Sequence, residues 1–320
     1  MDKNRNIWKD GVMGVVVGDA LGCPVQFESR KEVARNPITG MRGYGTFDLP
    51  EGSWTDDSSM TLATLESLNR KKEIDLDDIM TNFIKWLEDG AFTPYEKSFD
   101  VGIITRKSIY TYQKNHKARK CGSDGERDNG NGSLMRILPV CLYCYEKQRD
   151  SDMTDEEAIR HIHDVGSLTH AHIRSNIACG LYYFMIKEIL GGTGSLKDRL
   201  AEGITKGYAF YESFLADKEN LYHYDRLRDL DVFAKTERAG IKSSGYVVDT
   251  LEASVWSLLQ EDTFEKSLLT AVNLGEDTDT VGAIAGGLAG LWYGYGEIPE
   301  KWLRAIIKRD WIEKMFSKEI

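Results

Sequence analysis

Apolar residues recur at intervals of three and four along most of the chain, the period of a helix with one buried face. Met60, Leu62, Leu65 and Leu68 follow the polar opening Thr55-Asp56-Asp57, which predicts a helix over 55–68 with a hydroxyl and two acids at its start. Ile79, Phe83 and Leu87 predict a second over 75–87, and the same pattern continues over 155–167, 175–190, 196–215, 247–260 and 263–272. The period-two alternation of a half-buried strand is nearly absent. The stretch 38–47 hints at extended chain, but Gly40, Gly43 and Gly45 make it a loop. The fold class that follows is all-α.

Two further stretches carry glycine at every fourth position: Gly14, Gly18 and Gly22 in one, Gly282, Gly286, Gly290 and Gly294 in the other. Residues four apart share one face of a helix, and glycine inside a helix costs about 1 kcal/mol relative to alanine. Stripes of this kind predict two central helices with closely approaching backbones. The clearest long loops are 40–53 and 114–132, and Gly191-Gly192-Thr193-Gly194 reads as a turn between helices. With no internal repeat or linker, residues 1–320 form one domain.

Composition narrows the partners. The 320 residues are 41% hydrophobic and 29% charged, which fits a globular chain. A formal net charge of −10 argues against a nucleic-acid partner. A phosphate-bearing ligand stays compatible where backbone N–H groups or metals supply positive charge. The five cysteines, Cys23, Cys121, Cys141, Cys144 and Cys179, are too few for a disulfide framework and point to a reducing compartment. Cys141 and Cys144 lie in the apolar run 137–145 and read as buried helix residues, because no second pair completes a metal site. The opening ten residues are polar and charged, unlike a signal peptide. The longest uncharged run, 280–296, holds six glycines in 17 residues and suits a buried helix better than a membrane span. A cytoplasmic protein without a membrane partner is expected.

Candidate chemistry sits beside the predicted central helices. Thr55-Asp56-Asp57 places adjacent carboxylates at a helix N-terminus, where negative charge is favoured. Asn273-Leu274-Gly275-Glu276-Asp277-Thr278-Asp279-Thr280 packs three acids into four residues at the mouth of the second glycine-lined helix. A helix cap needs one acid, and burying three is costly unless cations neutralise them. Carboxylate and hydroxyl oxygens suit hard ions such as Mg²⁺ or Mn²⁺, and the two clusters together offer enough oxygens for two ions about 3.5–4 Å apart. Asp128-Asn129-Gly130-Asn131-Gly132-Ser133 alternates glycine with asparagine and runs into a helix, a plausible cradle for phosphate or ribose. His161, His163, His170 and His172 are spaced by two, seven and two, which matches no H-x-x-x-H zinc pair. Thr169-His170 instead offers a polar contact to a ligand.

Taken together, these motifs resemble the ADP-ribosylglycohydrolase family. The matching pieces are Gly18-Asp19-Ala20-Leu21-Gly22, Thr55-Asp56-Asp57, Gly130-Asn131-Gly132-Ser133-Leu134-Met135-Arg136, Thr169-His170, the segment 243–250 and Gly275-Glu276-Asp277-Thr278-Asp279-Thr280. They occur in the family's order from residue 11 to about 300. The resemblance implies a single compact orthogonal helical domain around a binuclear Mg²⁺ or Mn²⁺ site with ligands Thr55, Asp56, Asp57, Asp277, Asp279 and Thr280. It implies hydrolytic release of ADP-ribose from an ADP-ribosylated protein by a monomeric enzyme. Asp56 and Asp277 would be essential to turnover, Gly130, Asn131, Gly132, Ser133 and His170 would line the substrate, and Tyr246 would stack on adenine. Ser98-Phe99-Asp100-Val101-Gly102 is similar to a segment of the dinitrogenase reductase-activating branch, which removes ADP-ribose from arginine, so Asp100 is the candidate for acceptor recognition and proton transfer. The chain departs from the pattern at two places. Gln26, assigned to the substrate side, replaces a frequent glutamate, and Ile103 stands where the arginine-specific branch has a polar residue. The alternatives are another acceptor (serine, an acetyl ester, a nucleic-acid or small-molecule adduct) and a non-catalytic ADP-ribose binder.

Overall fold

The structure is a computed structural model that describes residues 5–317, so Met1 to Asn4 of the polar opening lie outside the described residues. Eleven helices longer than six residues follow one another among the described residues: α1 Ile7–Gly22, α2 Asp56–Lys71, α3 Leu76–Asp89, α4 Ile103–Asn115, α5 Leu138–Asp150, α6 Asp155–Gly166, α7 Ile173–Gly191, α8 Leu196–Phe214, α9 Val247–Gln260, α10 Phe264–Val272 and α11 Thr278–Tyr293. Pairing between extended segments is limited to two isolated bridges, Ser123 with His170 and Gly130 with Tyr246.

Polar residues set the helix starts. Thr55 accepts from the Asp57 N–H ahead of α2, and Asp75 from the Asp78 N–H ahead of α3. Thr154 and Glu157 exchange bonds in a capping box at the start of α6. The helix α4 has no such signal. It begins after Gly102 without a side-chain cap, and its buried positions include Thr105, Ser108 and Tyr112, so its apolar period is weak.

Three helices, α1, α7 and α11, are buried on nearly every side and form the centre. The α1 and α11 axes run antiparallel with their glycine stripes face to face. A Cβ on Gly14 would stand 2.1 Å from the Gly286 carbonyl oxygen, and one on Gly290 would stand 2.1 Å from that of Asp10. Backbones this close leave room only for hydrogen and for weak Cα–H···O contacts. Gly294 leaves the expected stripe: α11 ends at Tyr293, and Gly294 caps it at φ 92° beside the Arg5 guanidinium. Helix α7 closes on α11 where the Tyr182 hydroxyl donates to the Ile284 carbonyl at 3.3 Å.

All five cysteines are buried and free, with Cys141 and Cys144 on α5. Among the described residues, no helix is long and apolar enough to cross a membrane.

Candidate active site

The α1–α11 pairing brings the two acidic clusters together. Asp19, on α1, is fully buried and accepts from the Thr55 N–H at 3.0 Å, the Ser58 N–H at 3.0 Å and the Ser58 hydroxyl at 2.6 Å. It thereby fixes the first turn of α2 to α1. Burial raises its carboxyl to about 7, against the hydrogen bonds, which pull it down. In the sequence Asp19 stands out only as part of the motif Gly18-Asp19-Ala20-Leu21-Gly22. Its signal was a lone carboxylate within the apolar stretch 15–21.

The N-termini of α2 and α11 both open onto this point, so two positive helix ends face the acids. The Thr55 hydroxyl lies 3.2 Å from Asp57 Oδ2 and 3.1 Å from Asp279 Oδ2. The Thr280 hydroxyl lies 3.3 Å from Asp277 Oδ1 and 3.5 Å from Asp57 Oδ2. Oδ1 of Asp57 and Oδ1 of Asp279 are buried with no hydrogen-bond partner. Burial, followed by the neighbouring carboxylates, holds Asp56, Asp57 and Asp279 well above the ordinary carboxylate range. Burial raises Asp277 as well, opposed by the Asn131 amide, which donates to it at 2.6 Å.

Asp100 completes the group from a different loop. It is a non-glycine residue at φ 54°, and its Oδ2 accepts from the Gln26 amide at 2.8 Å. Burial raises its carboxyl and hydrogen bonds to Gln26 and Asp279 lower it, which places it against the α11 acids. Gln26 is buried, and its Oε1 has no partner.

A second set of loops lies beyond Asp277. The Asn131 N–H donates to the Gly245 carbonyl at 3.1 Å and the Val247 N–H to the Asn129 carbonyl at 3.2 Å, so the glycine-asparagine loop pairs with the segment leading into α9. His170 packs under this loop: a Cβ on Gly132 would meet its Cε1 at 2.5 Å. Burial, with Arg136 nearby, lowers His170 to about 3, so it is neutral, and its Nδ1 lies 2.9 Å from the Thr169 hydroxyl. Tyr246 is half-buried, with its hydroxyl 3.2 Å from Arg174 Nη1. Thr250, from the matching segment 243–250, holds Asn131 in place, and Arg174, which no sequence motif singles out, holds Tyr246. Ser133 is not brought to the acids; its hydroxyl is fully buried against Cys179 Sγ at 3.6 Å. It sits on the turn into the Leu134–Arg136 helix, which directs its side chain into the core. The remaining histidines scatter: His163 stacks on Tyr211, and His172 caps α7.

The donor set fits a hard divalent cation. It is carboxylates and threonine hydroxyls, two buried carboxylate oxygens lack partners, and among the described residues no ion pair reaches Asp19, Asp56, Asp57, Asp100, Asp277 or Asp279. Among the described residues no three His, Cys, Asp or Glu side chains already surround one point, and the threonine hydroxyls of Thr55 and Thr280 stand among the carboxylates as further oxygen donors.

Comparison with known proteins agrees with this layout. Residues 3–319 match the model of the family described as ADP-ribosylglycohydrolase. The ADP-ribosyl-[dinitrogen reductase] glycohydrolase of Rhodospirillum rubrum is 31% identical over 91% of this chain and 87% of its own length. The ADP-ribosylarginine hydrolase Tri1 of Serratia proteamaculans is 29% identical over 96% of this chain and 77% of its own. A solved structure described as an ADP-ribosylglycohydrolase-related protein complex superposes with a TM-score of 0.76 at 28% identity, covering 99% of this chain and 97% of that one. With its central helix pair, buried acids and full-length match, the chain belongs to the ADP-ribosylglycohydrolase family.

Proposed function

We propose that the protein is a divalent-metal-dependent hydrolase that cleaves the N-glycosidic bond of ADP-ribosylarginine on proteins. The observation that carries the reading is the convergence of six carboxylates, Asp19, Asp56, Asp57 and Asp279 buried and Asp100 and Asp277 half-buried, with no cation paired to them among the described residues. Such a group is stable when cations neutralise it and costly otherwise. Two relatives near 30% identity are named for arginine or dinitrogen reductase substrates, which favours arginine as the acceptor.

Thr55, Asp56, Asp57, Asp277, Asp279 and Thr280 would hold a pair of Mg²⁺ or Mn²⁺ ions. Bound there, the ions supply Lewis acidity toward the distal ribose hydroxyls and a bound water. Asn131 fixes Asp277 by its 2.6 Å bond, and Asp19 fixes the turn that carries Asp56 and Asp57. Gly130 and Gly132 let the phosphates approach the backbone, and Tyr246 stacks on adenine. Gln26 holds one oxygen of Asp100, so a preset carboxylate meets the planar guanidinium, takes a proton from the attacking water and passes it to the departing arginine nitrogen.

The test is incubation with Mg²⁺ or Mn²⁺ and an arginine-linked, then a serine-linked, substrate, following free ADP-ribose. Asp100→Asn should lower kcat/KM by roughly 10²–10⁴ while ADP-ribose affinity changes little. Full activity after complete metal removal, or release from serine alone, overturns this reading. Calorimetry showing ADP-ribose binding without turnover would revive the binder alternative.

A further inference from the structure

Three loops meet above Asp100, and their outward ends are aromatic. The turn at 44–49 is tied to the loop after α1: the Thr46 N–H donates to the Pro24 carbonyl at 3.1 Å and its hydroxyl to the Gln26 carbonyl at 2.6 Å. Gly45 permits this approach, since a Cβ there would stand 2.0 Å from the Pro24 oxygen. The Gln26 amide in turn holds the loop that carries Asp100. The rings of Phe27 and Phe47 lie 6.4 Å apart edge to face, and those of Phe47 and Phe99 5.3 Å apart. Phe99 immediately precedes Asp100, and Ile103 follows three residues later.

These side chains are not folded away. Phe27 is 66% exposed, Tyr44 62% and Ile103 85%. Phe27 also sits at φ 68°, a conformation costly for a bulky residue, and Tyr44 at φ 63°. The Phe27 N–H bonds the carbonyl of Glu276, itself at φ 63° and next to Asp277, so the acid loop holds Phe27 in that conformation. An apolar patch maintained against solvent and backbone strain marks a contact surface.

Its position and charge point to one occupant. The lip lies beside Asp100, the acceptor-side carboxylate of the hydrolase reading, so it meets whatever carries the scissile bond. The chain's net charge of −10 repels nucleic acid and anionic membranes and attracts a cationic segment. We propose that Phe27, Phe47 and Phe99, with Tyr44 and Ile103, form the docking surface for the polypeptide around an ADP-ribosylated arginine. This rests on the hydrolase reading above. The lip selects protein-borne substrate over the free ADP-ribosylated amino acid, and it does so through binding, not through the chemical step.

The experiment compares wild type, Phe27→Gly and Ile103→Ser on a protein ADP-ribosylated on arginine and on free ADP-ribosylarginine, with the distant exposed Val232→Ser as control. Phe27→Gly also relieves the backbone strain, so thermal unfolding no lower than that of wild type certifies the fold. Removing an aromatic anchor should raise KM for the protein about tenfold with kcat unchanged, leaving the small substrate within about twofold. Equal effects on both substrates, or none on the protein, overturn the docking surface alone. A dimer that Ile103→Ser disperses overturns it in favour of self-association. A wild type that releases ADP-ribose from neither substrate overturns the hydrolase reading as well.

Discussion

A Cβ on Gly18 would stand 2.0 Å from the carbonyl oxygen of Gly282, and one on Gly282 would stand 2.4 Å from that of Gly18. Each excludes a side chain from the other, and the acids of both clusters hang from this contact. Gly18→Ala gains helix propensity of about 1 kcal/mol but forces the backbones apart. The expected net loss is at least about 2 kcal/mol, read from the guanidinium midpoint. Gly296→Ala, where a Cβ meets nothing within 4 Å, should stay within about 0.5 kcal/mol. Equal midpoints for the two variants would show that the close approach does not matter.

Asp279 gives the opposite sign. It is fully buried and faces Asp57, Asp277, Asp100 and Asp19, all raising its carboxyl beyond the effect of burial. Asp279→Asn removes one charge and adds an N–H toward the neighbouring carboxylates. In chelator at pH 8 the variant should be more stable than wild type by about 1 kcal/mol or more, while losing at least about 10³ in turnover. A variant that melts below the chelated wild type argues that the acids are already compensated within the fold.

The pH dependence of stability should carry the mark of His170. Its folded value of about 3 lies below the ordinary 6.5 because burial and Arg136 oppose its protonation. Below about pH 6.5 the unfolded chain takes a proton that the folded chain refuses, so stability falls as pH drops toward 3. The loss from this group reaches about 2–3 kcal/mol by pH 4.5. His170→Gln removes it, so the difference between wild type and variant should shrink by that amount from pH 7 to pH 4.5. A pH-independent difference would contradict the neutral, buried assignment.

Tyr246 separates ring from hydroxyl. The hydroxyl meets Arg174 at 3.2 Å, and in the proposed function the half-buried ring would be the part that stacks on adenine. Tyr246→Phe should bind ADP-ribose within about threefold of wild type, and Tyr246→Ala should bind it about tenfold or more weakly, by calorimetry. Equal losses for both variants would assign the contact to the hydroxyl.

Much of this was legible in the chain itself. Glycines at every fourth position gave away the central helices, because a helix pays for glycine only where something must come close. The acid clusters were visible because three acids exceed what capping explains. Helix α4 was not, since Thr105, Ser108 and Tyr112 bury polar side chains that break the apolar period. Asp19 was seen only as a motif letter, because its partners, Thr55 and Ser58, are distant in sequence. The inward turn of the Ser133 side chain was not legible, because a glycine-rich loop does not reveal which way its last side chain points. Gly294 was misplaced because the spacing continues one step past the helix end.

The antiparallel pairing of α1 with α11 also sets a schedule for synthesis. The Thr55 and Asp279 side chains that meet at 3.1 Å are separated by 224 positions. At ordinary translation rates roughly tens of seconds pass between the emergence of α1 and that of its partner. During that interval the glycine-striped face of α1 has no partner helix, although Asp19 can already take its bonds from Thr55 and Ser58. Catalytic competence therefore arrives late and all at once, and a nascent chain stalled before α11 has no assembled centre.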